Sequence, residues 1–291
     1  LQNHDELTYE LVHFATRHAN DTYSLGGEQV TGSVLAETIR QTMRDRLTGD
    51  AGPYNAPFVQ NGIACTTASV ITATLGITDL DEITPADARR IRDAHLLLCM
   101  YSAFQPGVFA LSGWDLVGAL PLDRSQVKGL IKDGDTRWIE RGAYDLMDAA
   151  PEAAKSASGM PRATALYGSL PQQLGDPDSF ARRLSRILEV RKRSKLATGE
   201  LVDVPEVPFR SMLVLVNRLV DGTTQVTVLN FADEELSARV QSEHIPTGRV
   251  VDLSTLQNVG VVDDLGGFTV DIGPFGGLAL AIREQEDEDE E

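Results

Sequence analysis

Leu1–Thr8, with the sequence Leu-Gln-Asn-His-Asp-Glu-Leu-Thr (LQNHDELT), is the most informative stretch of the chain. It places an amide, an imidazole and two carboxyl groups on the four consecutive residues Asn3 to Glu6. Taken alone, such a run is often a helix cap, in which the Asp5 carboxylate accepts hydrogen bonds from the first amides of a helix over residues 7–14. A cap and a functional cluster are both open interpretations of these eight residues.

Composition sets the class of protein. The 291 residues are 42% hydrophobic and 24% charged, which is enough to bury a core in one large domain or two smaller ones. No apolar run approaches the roughly 18–20 residues that span a bilayer, so we expect a soluble, cytoplasmic protein with no membrane partner. Cys65 and Cys99 lie in apolar surroundings without metal-ligand spacing. We therefore expect reduced thiols rather than a disulfide, although the absence of a leader does not exclude export of a longer parent.

The charge pattern excludes one class of partner. The net charge is −17, and residues 283–291, with seven acids and one arginine, contribute −6 of it. Residues 284–291 are predicted to be an acidic disordered tail, because their charges repel and they have nothing to bury. The acidic body lacks the clustered cations that phosphate binding needs, since its one basic cluster, Arg191-Lys192-Arg193, complements the dipole at a helix end. We expect no nucleic-acid partner.

The first 200 residues read as helices and loops. Thr84-Pro85-Ala86-Asp87 has the signature of a helix start, and apolar spacing predicts that this helix continues to about Ser102. The apolar run Val108–Leu111 predicts a short strand buried on both faces, as in a parallel sheet or barrel. A second helix is predicted from Asp178.

Beyond residue 202 the pattern becomes that of β-structure. Asp221-Gly222 is a hairpin signal between two strand-like runs, and Pro205 and Pro208 stiffen the preceding link. The spacing predicts a small antiparallel β-sandwich over residues 203–283. Its predicted strands are Met212–Leu219, Gln225–Phe231, Leu236–Val240, Val250–Leu253, Phe268–Ile272 and Leu278–Ile282.

Asn3-His4-Asp5 followed by Glu6-Leu7-Thr8 resembles the fourth conserved stretch of the α-amylase superfamily of glycoside hydrolases and transglycosylases, in the form closest to trehalose synthases (maltose α-D-glucosyltransferases). The resemblance implies an α/β fold, the C-terminal part of a TIM (β/α)8 barrel. In that frame, residues 1–200 contain the end of strand seven, helix seven, strand eight and helix eight, with a lid or insert around residues 20–80. The antiparallel β-sandwich domain of residues 203–283 then follows.

Residues 105–118 are similar to the Pro-Gly-led strand-eight segment of this superfamily, which ends in Gly-Asp-Glu in many members. Alignment on Gly113 needs a one-residue gap and puts Trp114 and Asp115 at the Asp and Glu positions. The gap-free alignment instead puts Leu116 at the Glu position. This departure indicates an outlying subfamily and leaves the exact substrate open.

The resemblance also implies roles for individual residues. Asp5 matches the third catalytic carboxylate, which stabilises the transition state by hydrogen bonds to the sugar, and His4 matches the imidazole that donates to the same hydroxyls. Glu6 is either a rim residue of the site or a cap, and Trp114 either stacks on sugar or packs in the core. The substrate-binding candidates are His4, Glu6, Asn3, Trp114 and Asp115.

The implied activity is isomerisation of maltose to trehalose by a retaining mechanism, on a small α-glucan or disaccharide. The family places the nucleophile and the acid/base on strands four and five, ahead of Leu1, so we expect an inactive C-terminal fragment that needs the N-terminal part of the barrel. An α-glucosidase, amylase or maltosyltransferase, or a non-catalytic carbohydrate-binding or interaction module, is the alternative. We expect no cofactor and no metal ligands in this chain. Many relatives use Ca²⁺, but no calcium-loop spacing is present here.

Overall fold

The computed structural model describes residues 5–8, 11–59 and 61–283. The predicted site residues Asn3 and His4 and the predicted acidic tail at 284–291 lie outside these ranges. The chain packs as two compact units, residues 1–91 with 111–175, and residues 92–110 with 176–291. None of the described helices is long and apolar enough to cross a membrane.

The helices are α1 Val12–Ala15, α2 Gly32–Leu47, α3 Thr67–Thr74, α4 Pro85–Ala103, α5 Gly113–Val117, α6 Leu170–Leu174 and α7 Phe180–Ser194, with 3₁₀ turns at Gly49–Ala51, Thr136–Glu140 and Leu196–Thr198. The strands are β1 Leu7–Thr8, β2 Thr22–Leu25, β3 Glu28–Thr31, β4 Ala56–Phe58, β5 Gly62–Ala64, β6 Glu200–Asp203, β7 Met212–Arg218, β8 Thr224–Asn230, β9 Leu236–Gln241, β10 Gly248–Asp252, β11 Asn258–Val262, β12 Gly267–Ile272 and β13 Gly277–Arg283. The two helices predicted from Thr84 and Asp178 are confirmed as α4 and α7.

In the second unit, six antiparallel strands form a sheet in the order β11-β10-β13-β8-β7-β6, and β9 pairs with β12. All six predicted strands are found within two residues of their predicted bounds, while β6 and β11 were not predicted. The Asp221-Gly222 turn is confirmed, and Gly222 has the positive φ of 86° that suits this position. Apolar side chains of both sheets meet in one core, including Val214, Val228, Val240, Phe268, Val270 and Leu280.

The six-stranded sheet is covered on its other face by helices. Leu229 of β8 and Ala279 of β13 pack in one cluster with Met100 and Phe104 of α4 and with Val190 of α7. For this reason every residue of β8 is buried. Packing thus groups the end of α4 and all of α7 with the sheet.

Arg191, in the basic cluster of α7, has a different partner from the one predicted. Its guanidinium is buried and donates to the carbonyl oxygens of Ala103, Gln105 and Gly107, at the end of α4. Carbonyls in the last turn of a helix lack partners within the helix, so this cation satisfies acceptors of α4 rather than of its own helix. Burial lowers the pKa of Arg191.

The predicted strand Val108–Leu111 is wrong in this structure. These residues pair with no described strand, and Val108 is 97% exposed. An apolar run becomes a buried strand only where neighbouring strands satisfy its backbone groups. All pairs among the described strands are antiparallel, so the parallel barrel is not directly visible and remains a proposal.

The first unit contains a three-stranded antiparallel sheet in the order β1-β5-β4 and a separate β2-β3 hairpin. The predicted insert at residues 20–80 is structured here, with α2 and α3 among its elements, and its role as a lid stays a prediction. Helix α3 begins with a capping box, in which Thr66 and Ser69 each bond the other's backbone amide. Apolar side chains around Ile63 and Leu47 form a small core against this helix.

Gly118, which ends α5, tests the packing of this unit. Its φ is +61°, and a Cβ at this position would lie 2.6 Å from the ring of Tyr167. We expect Gly118→Ala to lower the free energy of unfolding by about 1–2 kcal/mol, measured by urea denaturation. Gly129→Ala is the control, because no atom lies within 4 Å of that position. Equal losses in both variants would contradict this account.

Candidate functional site

Asp5 and Glu6 lie directly before β1, at the edge of the three-stranded sheet. Leu7 pairs with Ile63 of β5, and Thr8 with Gly62. This pairing brings Glu6 against Gly62, where a Cβ would lie 2.6 Å from Glu6 Cγ. Only glycine at position 62 therefore allows Glu6 its position, and the candidate catalytic carboxylate of Asp5 lies two residues before the two-residue strand β1.

Arg137 is the cation of this site. Its Nη1 lies 3.3 Å from Asp5 Oδ1 and 3.5 Å from Glu6 Oε2. The Asp5 side chain is 49% exposed and that of Glu6 14%. The structure therefore brings two of the sequence-predicted site residues together on one guanidinium.

Arg137 is itself held from two other directions. Its Nε and Nη2 donate to the two oxygens of Asp135 at 2.9 and 3.1 Å, and its guanidinium carbon lies 4.3 Å from the centre of the Phe58 ring. Asp135 also caps the 3₁₀ turn by accepting from the Arg137 amide at 3.1 Å. The hydrogen bond from the Arg137 side chain is the main reason that the pKa of Asp135 is lowered. A bidentate pair with stacking fixes the plane of a guanidinium.

A buried carboxyl group lies at the far end of the same 3₁₀ turn. Glu140 is 1% exposed, and its Oε2 accepts a bond from the Cys65 amide at 3.4 Å. Burial raises the pKa of Glu140 to about 9, so this side chain is uncharged at neutral pH. Burial also raises the pKa of the Cys65 thiol, as does Glu140 once it is ionised at higher pH, which makes Cys65 an inert core thiol rather than a nucleophile.

Trp114 and Asp115 have structural contacts. The Trp114 indole donates to the Gly142 carbonyl at 2.8 Å, and its ring packs 5.5 Å from that of Tyr144. Asp115 is buried and completes the capping box of α5, where its carboxylate accepts from the amide and hydroxyl of Ser112 at 3.3 and 3.0 Å. Among the contacts of Arg137 with the described residues, none is with Trp114 or Asp115.

Sequence reasoning missed Asp135, Arg137 and Glu140. Arg137 and Asp5 are 132 positions apart, and the only local signal is that Asp135 and Arg137 are two residues apart at the start of a short turn. No group of three or more His, Cys, Asp or Glu side chains among residues 5–8, 11–59 and 61–283 is arranged to hold a metal ion.

No family model matches the chain, and no curated protein matches it in sequence. Solved structures do match. A mutant of MutB in complex with glucose is 17% identical with a TM-score of 0.51, over 69% of this chain and 40% of that one. The trehalulose synthase MutB from Pseudomonas mesoacidophila MX-45 is 17% identical with a TM-score of 0.49, over 66% and 38%. Amy13B of Eubacterium rectale is 13% identical with a TM-score of 0.49, over 76% and 37%.

This chain therefore spans about two fifths of the length of the structures it matches. At this identity the likeness to the MutB mutant concerns the fold alone. The chain shares the fold of part of that MutB structure.

Proposed function

We propose that this chain is part of an α-amylase-type enzyme that rearranges or transfers α-linked glucose, with the isomerisation of maltose to trehalose by a retaining mechanism as its activity. The observation that carries the proposal is Asp5. Its carboxylate belongs to the Asn-His-Asp-Glu-Leu-Thr run, lies 3.3 Å from Arg137 Nη1 and is half exposed to solvent. The fold shared with the MutB mutant, described in complex with glucose, supports the same superfamily.

In this proposal Asp5 acts by differential binding. Its carboxylate accepts hydrogen bonds from hydroxyls of the sugar whose bond is broken. These bonds strengthen as positive charge develops at the anomeric carbon, so they stabilise the transition state more than the bound substrate. His4 donates to the same sugar, Asn3 is a further substrate-binding residue, and Glu6 is a rim residue of the site. Trp114 and Asp115 are further candidates for substrate binding in this proposal.

A retaining mechanism also needs a nucleophile and an acid/base whose carboxyl groups are roughly 5–5.5 Å apart. We propose that both belong to a longer protein that contains these residues, in keeping with the share of the matched structures that this chain spans. The substrate is a small α-glucan or a disaccharide, and the reaction requires no cofactor from this chain.

Product analysis tests the proposal. The longer protein and the 291-residue chain are each incubated with maltose, and trehalose and glucose are separated by anion-exchange chromatography. We expect trehalose as the main product of the longer protein and no turnover by the chain alone. Glucose alone would indicate a hydrolase of the same superfamily. Maltose binding without turnover by the longer protein would indicate a binding module and overturn the proposed activity.

A further inference from the structure

We propose that Arg137 is the positioning residue of this site and holds the Asp5 and Glu6 side chains in the orientation in which they meet the sugar. The inference rests on the proposed function, because the working orientation of Asp5 is defined by its role there. It goes further in assigning a task to a residue that no sequence motif singled out.

The first argument is how the guanidinium divides its donors. Two of its nitrogens are engaged by Asp135, which leaves Nη1 directed to Asp5 and Glu6. Arginine presents its donors in a rigid planar fork, so fixing one edge on Asp135 fixes the direction of the other. With Phe58 beneath the plane, Arg137 is oriented without help from the two carboxylates that it holds.

The second argument is the shortness of the strand that follows Asp5 and Glu6. This strand, β1, has only two residues and lies at the edge of its sheet. So short a pairing opens readily, because few contacts resist local unfolding. Glu6 Oε2 is buried without a hydrogen bond from the described residues, and Arg137 Nη1 is a cation 3.5 Å away. Arg137 therefore ties the segment before β1 to the rest of the unit.

The third argument is charge. Asp5, Glu6 and Asp135 each have a carboxylate oxygen within 3.5 Å of the Arg137 guanidinium, and Asp5 is half exposed to solvent. An exposed ion pair alone contributes little to stability. The contribution of Arg137 is therefore to orientation, because the Asp5 charge favours the cationic character of a glycosyl transition state only while Asp5 is held in place.

Hydrogen exchange tests, without any assay of activity, whether Arg137 holds the segment before β1 in place. In the 291-residue chain, Arg137→Met keeps the length of the side chain and removes its charge and its fork. We expect the backbone amides of β1 and β5 to exchange about tenfold faster, with β7 and β8 unchanged. In Arg137→Lys, which retains the charge, these amides should exchange at rates between those of the wild type and those of Arg137→Met. Unchanged exchange of β1 in a folded Arg137→Met chain would overturn the proposal.

Kinetics then separate positioning from a structural role. In the longer protein, Arg137→Met should lower kcat on the order of 10- to 100-fold with little change in KM. In an Asp5→Asn background the same substitution should cost almost nothing more, because the residue to be positioned has lost its role. Arg141→Met, which removes a neighbouring cation lying over Trp138, is the control and should leave kcat unchanged.

The outcomes distinguish the two proposals. Additive losses in the double variant would remove Arg137 as a positioning residue while leaving the proposed function intact. Absence of maltose conversion by the wild-type longer protein would count against the proposed function, and the exchange rates of β1 would still decide whether Arg137 holds this segment.

Discussion

Asp5→Asn is expected to lower kcat for maltose conversion on the order of 10²–10³-fold in the proposed longer enzyme, with a much smaller effect on KM. Asparagine preserves the size and one acceptor oxygen of the side chain but removes the negative charge. That charge counts most when the anomeric carbon becomes cationic, so the loss should appear in the chemical step rather than in ground-state binding.

The control for this prediction is Asp178→Asn, an exposed aspartate in the other unit. Both variants should unfold within about 1 kcal/mol of the wild type, because exposed carboxylates contribute little to stability. The measurement is the initial rate of trehalose formation against maltose concentration. An undiminished kcat in Asp5→Asn would remove Asp5 from the mechanism.

Glu140→Gln is expected to stabilise the protein at neutral pH, and by an amount that depends on pH. The pKa of Glu140 is about 9 in the folded chain, whereas an unfolded glutamate titrates near about 4.3. Between these values the folded state holds a proton that the unfolded state has released. The contribution of Glu140 to the free energy of unfolding therefore falls as pH rises through this window, and below it the two states do not differ.

Glutamine remains neutral throughout and can accept the bond from the Cys65 amide through its carbonyl oxygen. We therefore expect Glu140→Gln to raise the free energy of unfolding by about 4 kcal/mol at pH ~7.5 and by less than about 1 kcal/mol at pH ~4.5. Urea denaturation at the two pH values provides the measurement, with the exposed Glu152→Gln as control. A gain in the free energy of unfolding of the same size at both pH values would show that the packing of the glutamine side chain, and not the ionisation of Glu140, is responsible.

Local rules predicted the β-rich part of the chain well. Alternation of apolar residues located the six predicted strands, and the Asp221-Gly222 signal placed the turn between β7 and β8, since side-chain period and turn chemistry act over a few residues. The start of α4 was predicted for the same reason, because Thr84 and Asp87 bond each other's groups within one turn. Strands β6 and β11 escaped prediction, and both lie at the edges of the sheet, where alternation is weak.

Local rules were wrong where a residue's partners are distant in the chain. Val108–Leu111 has the composition of a buried strand but lacks a described neighbour, and composition does not show whether neighbours exist. Arg191 has the charge expected near the end of its own helix, yet its guanidinium donates to carbonyl oxygens at the end of α4. One of these acceptors, the Gln105 carbonyl, lies 86 residues earlier in the chain. The strand sequences likewise did not predict that α4 and α7 cover the sheet, because a run of apolar residues indicates burial but does not identify which element buries it.

In the candidate site, too, some features follow from the local sequence and others depend on the tertiary structure. By itself the sequence determined that Asn3 to Glu6 are four consecutive polar residues, because residue types and their order in a short run are local properties, and a role for them in sugar binding stays a prediction. Only the tertiary structure decided that Arg137 meets Asp5 and Glu6, that Asp115 is used in a cap and that Glu140 is buried. Ion pairing and desolvation depend on which surfaces come together in space. Here those surfaces come from distant parts of the chain, because Glu140 is 75 residues from Cys65 and Arg137 is 132 residues from Asp5.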